Sequence, residues 1–140
     1  MAHALRLEPG ADLRAWLEAH ARSESLPAAG IVSAVGSLTV ARLRMAGAAE
    51  VREVAGPLEI LSLGGTVGAG CAHLHMMVAD ADGHCVGGHV CVGCVVHTTA
   101  ELVLLELPGI RFERALDPRT GYPELVVERA GGGTQTPPDV

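Results

Sequence analysis

Alternation of apolar and polar residues governs most of the chain. His3, Leu5 and Leu7 alternate with Ala4 and Arg6, which predicts a short opening strand ended by Pro9-Gly10. The period then lengthens. Leu13, Trp16, Leu17 and Ala21 recur at helical spacing, with Arg14, Glu18 and Arg22 on the other side and Asp12 placed as an N-cap. Pro27 closes that helix. Residues from Ala28 to Met45 read as two strands broken near Gly36-Ser37, and Gly47 to Gly56 as a polar connection with room for a further strand. Pro57 to Leu63 is the next predicted strand. Gly64, Gly65, Gly68 and Gly70 follow and are expected to make tight backbone turns.

Cys71 to Ala79, Cys85 to Val96 and Thr98 to Leu107 are long aliphatic, β-branched runs, predicted as strands buried on at least one face. Asp80-Ala81-Asp82-Gly83 separates the first two as a turn signal. Arg111 to Arg114 is expected to pair briefly. The pattern gives one domain over residues 1–128 and a Gly/Pro-rich tail over 129–140 that is expected to be disordered. The fold class is α+β: a central, mostly antiparallel sheet flanked by a few helices.

Composition sharpens this picture. Of 140 residues, 49% are apolar, yet there is one Trp, one Tyr and one Phe, so the core must be aliphatic. A mean hydropathy of +0.33 is more than a monomer of this size readily hides, which points to a buried subunit interface. All ten basic residues are Arg, none of them clustered, and the net charge is −6. A protein that tracks a phosphate backbone needs a concentrated cationic surface, and nucleic acid is therefore not expected as a partner. The amino terminus does not read as a signal peptide, and no apolar run approaches the roughly 20 residues that span a bilayer. A cytoplasmic protein with four reduced cysteines and no membrane partner is expected.

Candidate chemistry concentrates in one hairpin. In a strand, His73 and His75 point to one face while Leu74 and Met76 point to the other. A three-residue loop, Ala81-Asp82-Gly83, with Gly83 left-handed would make Asp80 face His84, His75 face His89, and Cys91 face His73. A two-residue turn, or a bulge at Gly87-Gly88, would move His89 elsewhere. With the longer loop, three neutral imidazoles converge, a set suited to a divalent ion such as zinc with a fourth position open. The competing reading is that these histidines only hydrogen-bond within a crowded hairpin.

Other candidates are weaker. The glycines from 64 to 70 lack the Lys-Ser/Thr ending of a phosphate-binding loop, and strand rather than helix follows them. Cys91-Val92-Gly93-Cys94 has metal or redox spacing, but residues three apart in a strand face opposite sides, so buried thiols are expected. Glu59 and Glu101 lie within apolar runs, where a carboxylate needs a partner. Each is read either as an ion-pair member at a subunit interface or as a base beside the histidines.

The order of motifs resembles a known family. Gly36-Ser37-Leu38, Pro57-Leu58-Glu59-Ile60-Leu61-Ser62-Leu63-Gly64-Gly65 and Gly70-Cys71-Ala72-His73-Leu74-His75 are similar to segments of the plants-and-prokaryotes-conserved (PPC) domain. Val78 to Gly83, Gly87-Gly88-His89, Thr98 to Glu101, Asp117-Pro118, Thr120-Gly121-Tyr122 and Glu124-Leu125 continue the match, so that it runs from about Ala2 to Leu125. The resemblance implies an antiparallel sheet with flanking helices, assembly as a homotrimer, and a histidine cluster able to hold a metal, carried here by His73, His75 and His89. It implies no reaction. Plant relatives carry Arg-Gly-Arg-Pro segments that enter the DNA minor groove; this sequence has none, so DNA binding is not carried over. The expected function is a stand-alone trimeric module with a histidine metal site and a ligand-binding or assembly role, small-molecule ligands being possible partners. The alternative is a small metal-dependent hydrolase or lyase using the same cluster.

Overall fold

The computed structural model describes residues 1–131 and the backbone of 133–135. Nine strands and one helix follow in the order β1 (Ala2–Leu7), α1 (Leu13–Ser23), β2 (Ala29–Arg44), β3 (Val51–Gly68), β4 (Cys71–Ala79), β5 (Cys85–Val90), β6 (Val95–Glu106), β7 (Ile110–Asp117), β8 (Tyr122–Arg129) and β9 (Gly133–Gln135) among the described residues. The sheet is antiparallel as expected, but a single helix accompanies it rather than several.

Strands run in the order β1-β6-β2-β3-β4-β5, and β5 returns to β2 through Leu43↔Val90 and Arg44↔His89. At that end β2, β3, β4 and β5 close on one another. A second sheet, β7-β8-β9, forms a hairpin arm. The core lies between the curled sheet and α1. Leu13, Leu17 and Ala21 of the helix are buried with Leu7, Leu38, Leu43, Leu74, Val78, Val90 and Leu104 of the strands. No aromatic residue belongs to this cluster, although half-buried Trp16 packs against it. The helix starts where Asp12 caps the Ala15 amide at 2.9 Å; the same carboxylate accepts from the Gly93 amide and so ties the helix to the β5–β6 turn.

Four sequence-based boundaries are corrected. β2 is one continuous strand of 16 residues, without a break at Gly36-Ser37. Register shifts near Gly36 and Leu38 absorb the irregularity, and a side chain at Gly36 (φ 147°) would lie 2.2 Å from the Thr99 carbonyl oxygen. β3 runs through Gly64 and Gly65, which are strand rather than turn residues. Conversely, the run from Cys85 to Val96 is interrupted: β5 stops at Val90, and Cys91 leaves the hairpin to donate to the Arg42 carbonyl at 3.0 Å. The brief pairing expected at Arg111–Arg114 is a full eight-residue strand that pairs along β8. Of the tail assigned to 129–140, residues 132 and 136–140 lie outside the described residues, while Gly133–Gln135 pairs with Val127–Arg129.

The outward side of the main sheet carries several exposed apolar side chains. Val35, Leu61, Val103 and Leu105 stand there, Val35 at 56% and Leu61 at 51% exposure. Glu59 and Glu101 stand on this face as well. Strand alternation places both carboxylates on the exposed face of the single chain, between buried neighbours Leu58 and Ile60 or Ala100 and Leu102.

Gly65 is where the main sheet is least forgiving. Its φ of 142° disfavours any side chain, and an added Cβ would lie 2.0 Å from the His73 carbonyl oxygen, whereas one at Gly64 meets nothing within 4 Å. Gly65→Ala is expected to cost about 3 kcal/mol or more and Gly64→Ala less than about 1 kcal/mol. Urea unfolding of the two variants checks this, and equal losses would contradict it.

Candidate functional site

The β4–β5 hairpin has the longer turn. Gly83 is left-handed (φ 82°), its amide donates to the Asp80 carbonyl at 3.0 Å, and the Asp80 amide donates to the His84 carbonyl at 3.1 Å. Asp80 Oδ1 also accepts from the Asp82 and His84 amides, each at 2.9 Å. These bonds set the register His75↔His89. Because Ala72, Leu74 and Met76 are buried, His73 and His75 are forced outward. The three rings meet at centroid distances of 5.2 Å (His73–His75), 5.1 Å (His73–His89) and 5.7 Å (His75–His89). One nitrogen from each lies within 4.8 Å of the others. Cys91 is not opposite His73, since β5 has by then turned towards β2.

The helix braces this cluster from the side. Glu18 Oε1 accepts from the Ala72 amide at 3.3 Å and from Arg14 Nε at 3.0 Å. Arg14 Nη1 in turn donates to the Val90 carbonyl at 2.9 Å and lies 3.4 Å from His89 Nε2. His89 Nδ1 is buried and has no hydrogen-bond partner among the described residues. Desolvation, then the positive charges of Arg44 and Arg14 and the neighbouring imidazoles, push the His89 pKa down to about 4. Burial and Arg114 lower His73 as well, against a smaller opposing influence of Glu124. Both rings are thus held neutral, the form in which imidazole donates to a metal.

A cavity of about 860 Å³ opens beside the cluster, lined by His73 and His89 together with Arg14, Arg44, Arg114, Tyr122 and Glu124. The β7–β8 arm supplies the last three of these, and Thr120 holds Glu124 through a 2.9 Å hydrogen bond. Glu59 and Glu101 line no part of the cavity; the carboxylate beside the histidines is Glu124 instead. No local pattern distinguishes Arg14, Arg44, Arg114 or Glu124 in the sequence, because four separate elements deliver them. The remaining candidates have structural explanations. Cys94 is buried, bonded through sulfur to the Arg42 backbone, and desolvation raises its pKa. Cys91 is half-buried, with its thiol 3.8 Å from the His89 carbonyl oxygen. Ser37 is buried against Thr98. Asp80, Asp82 and His84 form a second group of close donors, but all three are exposed and Asp80 is spent on the turn.

The low His89 pKa has a consequence for stability. A lowered histidine pKa means that the unfolded chain takes up a proton first as pH falls, so the stabilisation present above the ordinary pKa of 6.5 is lost between 6.5 and about 4. In metal-free protein the His89 Cε1 proton is expected to titrate near pH 4 by NMR, with stability declining over that interval. A midpoint near 6.5 would contradict the desolvated environment.

Comparison with known proteins fits this architecture. The model of the Plants and Prokaryotes Conserved (PCC) domain matches residues 1–108. The bifunctional protein GlmU of Synechococcus sp. (strain JA-3-3Ab) is 46% identical over 134 residues, covering 96% of this chain but only 22% of that protein. A hypothetical protein from Salmonella enterica superposes with a TM-score of 0.89 at 40% identity, covering 92% of this chain and 94% of its own. A metal-containing protein from Archaeoglobus fulgidus superposes with a TM-score of 0.77 at 32% identity, with 89% and 92% covered. With the domain model spanning the main sheet and the helix alike, the chain belongs to the Plants and Prokaryotes Conserved domain family.

Proposed function

We propose that the chain is a homotrimeric, cytoplasmic module that holds a divalent ion, zinc by preference, on His73, His75 and His89, and uses the site for ligand binding or assembly. The observation that carries this reading is the convergence of three imidazole nitrogens within 4.8 Å on one sheet face. The donor set fits zinc: all imidazole, two of the rings held neutral, and a buried His89 Nδ1 for which the described residues provide no partner. The resemblance to a metal-containing protein at 32% identity supports it. Trimerisation is supported by the apolar outward face around Val35, Leu61 and Leu105. Exposed Met77 follows His75 on the same side of β4, so this face continues into the histidine face. Four free thiols suit a reducing compartment. Duplex DNA is not proposed as a partner, given the net charge of −6 and the concave setting of the arginines.

Protein purified without an affinity tag is expected to carry stoichiometric zinc and to scatter light with three times the chain mass. His75→Ala should lose the ion and keep the β-sheet circular dichroism. Metal-free, monomeric wild-type protein would sink the proposal.

A second reading, a small metal-dependent hydrolase or lyase, draws on the open cavity and on Glu124 beside His73. A bound ion would supply Lewis acidity and make water a better nucleophile. Glu124 would then hold or accept a proton at its carboxylate, while Arg14 and Arg114 orient substrate. This reading predicts turnover of chromogenic ester substrates by zinc-loaded protein, abolished in Glu124→Gln with zinc retained. Equal rates in the two proteins would remove Glu124 from that role.

A further inference from the structure

We infer that the cavity beside the histidines is a binding site for a small organic oxyanion of at least two negative charges, gripped by Arg14, Arg44 and Arg114. The inference rests on the arginines and the cavity, so it goes beyond the proposed metal centre and does not require an ion to be held there.

Three guanidinium groups line one cavity, and all three are half-buried. Only Arg14 has an acidic partner, Glu18 at 3.0 Å. Among the described residues, Arg44 and Arg114 make no side-chain hydrogen bond and no ion pair. This contrasts with Arg6, Arg42, Arg111 and Arg119, which all pair with a carboxylate on the open surface. Arg22 and Arg52, also exposed, make no ion pair among the described residues, but water solvates them there; Arg44 and Arg114 are half-buried in the concavity, where it does so less. A partly desolvated, unpaired charge is unfavourable, and the protein tolerates that cost where a ligand supplies the counter-charge. With Arg14 paired to Glu18, the single carboxylate in the wall, Glu124, is held by Thr120 and leaves Arg44 and Arg114 incompletely balanced.

The chemistry of the group narrows the ligand. Guanidinium offers planar, paired N–H donors that match phosphate and carboxylate oxygens, and it cannot be deprotonated to escape the field. The arginines come from α1, β2 and β7, three elements set around the cavity, so they surround an anion rather than flank a flat surface. At about 860 Å³ the cavity exceeds what an inorganic anion fills and suits a ligand of metabolite size. Tyr122, exposed at the rim, offers a ring face and a hydroxyl to the organic portion. Phosphate monoesters and small polycarboxylates share the required chemistry.

Isothermal titration of chelator-treated protein with inorganic phosphate, adenosine monophosphate and citrate tests the inference apart from any metal. Saturable binding of at least one organic anion is expected, tighter than inorganic phosphate and weakened at least tenfold in Arg44→Ala and Arg114→Ala. Arg44→Lys should recover part of the loss, and Arg111→Ala, outside the cavity, should bind as wild type. Adenosine monophosphate alone binding would assign a phosphate ligand, and citrate alone a carboxylate. No binding of any of the three overturns the inference, as does binding that Arg44→Ala and Arg114→Ala leave unchanged. So does failure to bind combined with dissociation of the oligomer in those variants, which would give the arginines to carboxylates of a second copy. Loss of zinc with anion binding intact would reject the metal centre and leave the anion site standing.

Discussion

The carboxylate of Asp80, accepting the amides of Asp82 and His84, holds the turn on which the histidine face depends. Strand pairing has a side-chain period of two, so a one-residue slip would send His89 to the core side of the sheet and break the cluster. The left-handed Gly83 and the Asp80 bonds fix the count at one end of the hairpin. Burial of Leu74, Met76 and Val78 fixes it along the strand, because the opposite register would expose three large apolar side chains and bury imidazoles. Local turn chemistry and the hydrophobic pattern therefore demand the same answer, and the histidines take the positions left over.

That agreement explains what was legible in the sequence. The hairpin register could be counted from the Ala81-Asp82-Gly83 loop, and the helix from Asp12 and the spacing of Leu13, Leu17 and Ala21, because each depends on neighbours in the chain. The outer wall of the site could not. Arg44 reaches the histidines because β5 turns back onto β2, and Arg114, Tyr122 and Glu124 because the β7–β8 arm stands beside them. These are contacts between residues far apart in sequence, chosen by packing. The glycine-rich stretch misled for a related reason. Gly64 and Gly65 look like turn residues, yet Gly65 keeps to the strand because the His73 carbonyl occupies the space that a side chain would need.

The carboxylates show how far a pattern argument reaches. Glu59 and Glu101 drew attention as charges inside apolar runs, but period-two alternation puts them in solvent on the outward face. Within a single chain whose sheet has one covered side, a charge between two aliphatic neighbours is the ordinary arrangement. Glu124 is less conspicuous in the sequence and lies in the cavity wall. Its setting, half-buried and held by Thr120, follows from the arm rather than from its immediate neighbours.

The two halves of the cavity also constrain each other electrostatically. Burial first, and then the nearby guanidinium groups, disfavour protonation of His73 and His89 and keep both in the electron-donating form at neutral pH. The same charges would repel an incoming cation, and a divalent ion held there would add to an already positive wall. An anion bound by Arg14, Arg44 and Arg114 relieves both effects at once. Were both held there, anion and metal would favour one another, and by linkage each would raise the affinity of the other. Neutral His73 and His89 facing Arg44 and Arg114, which have no carboxylate partner, are thus more coherent as one composite site than as two separate ones.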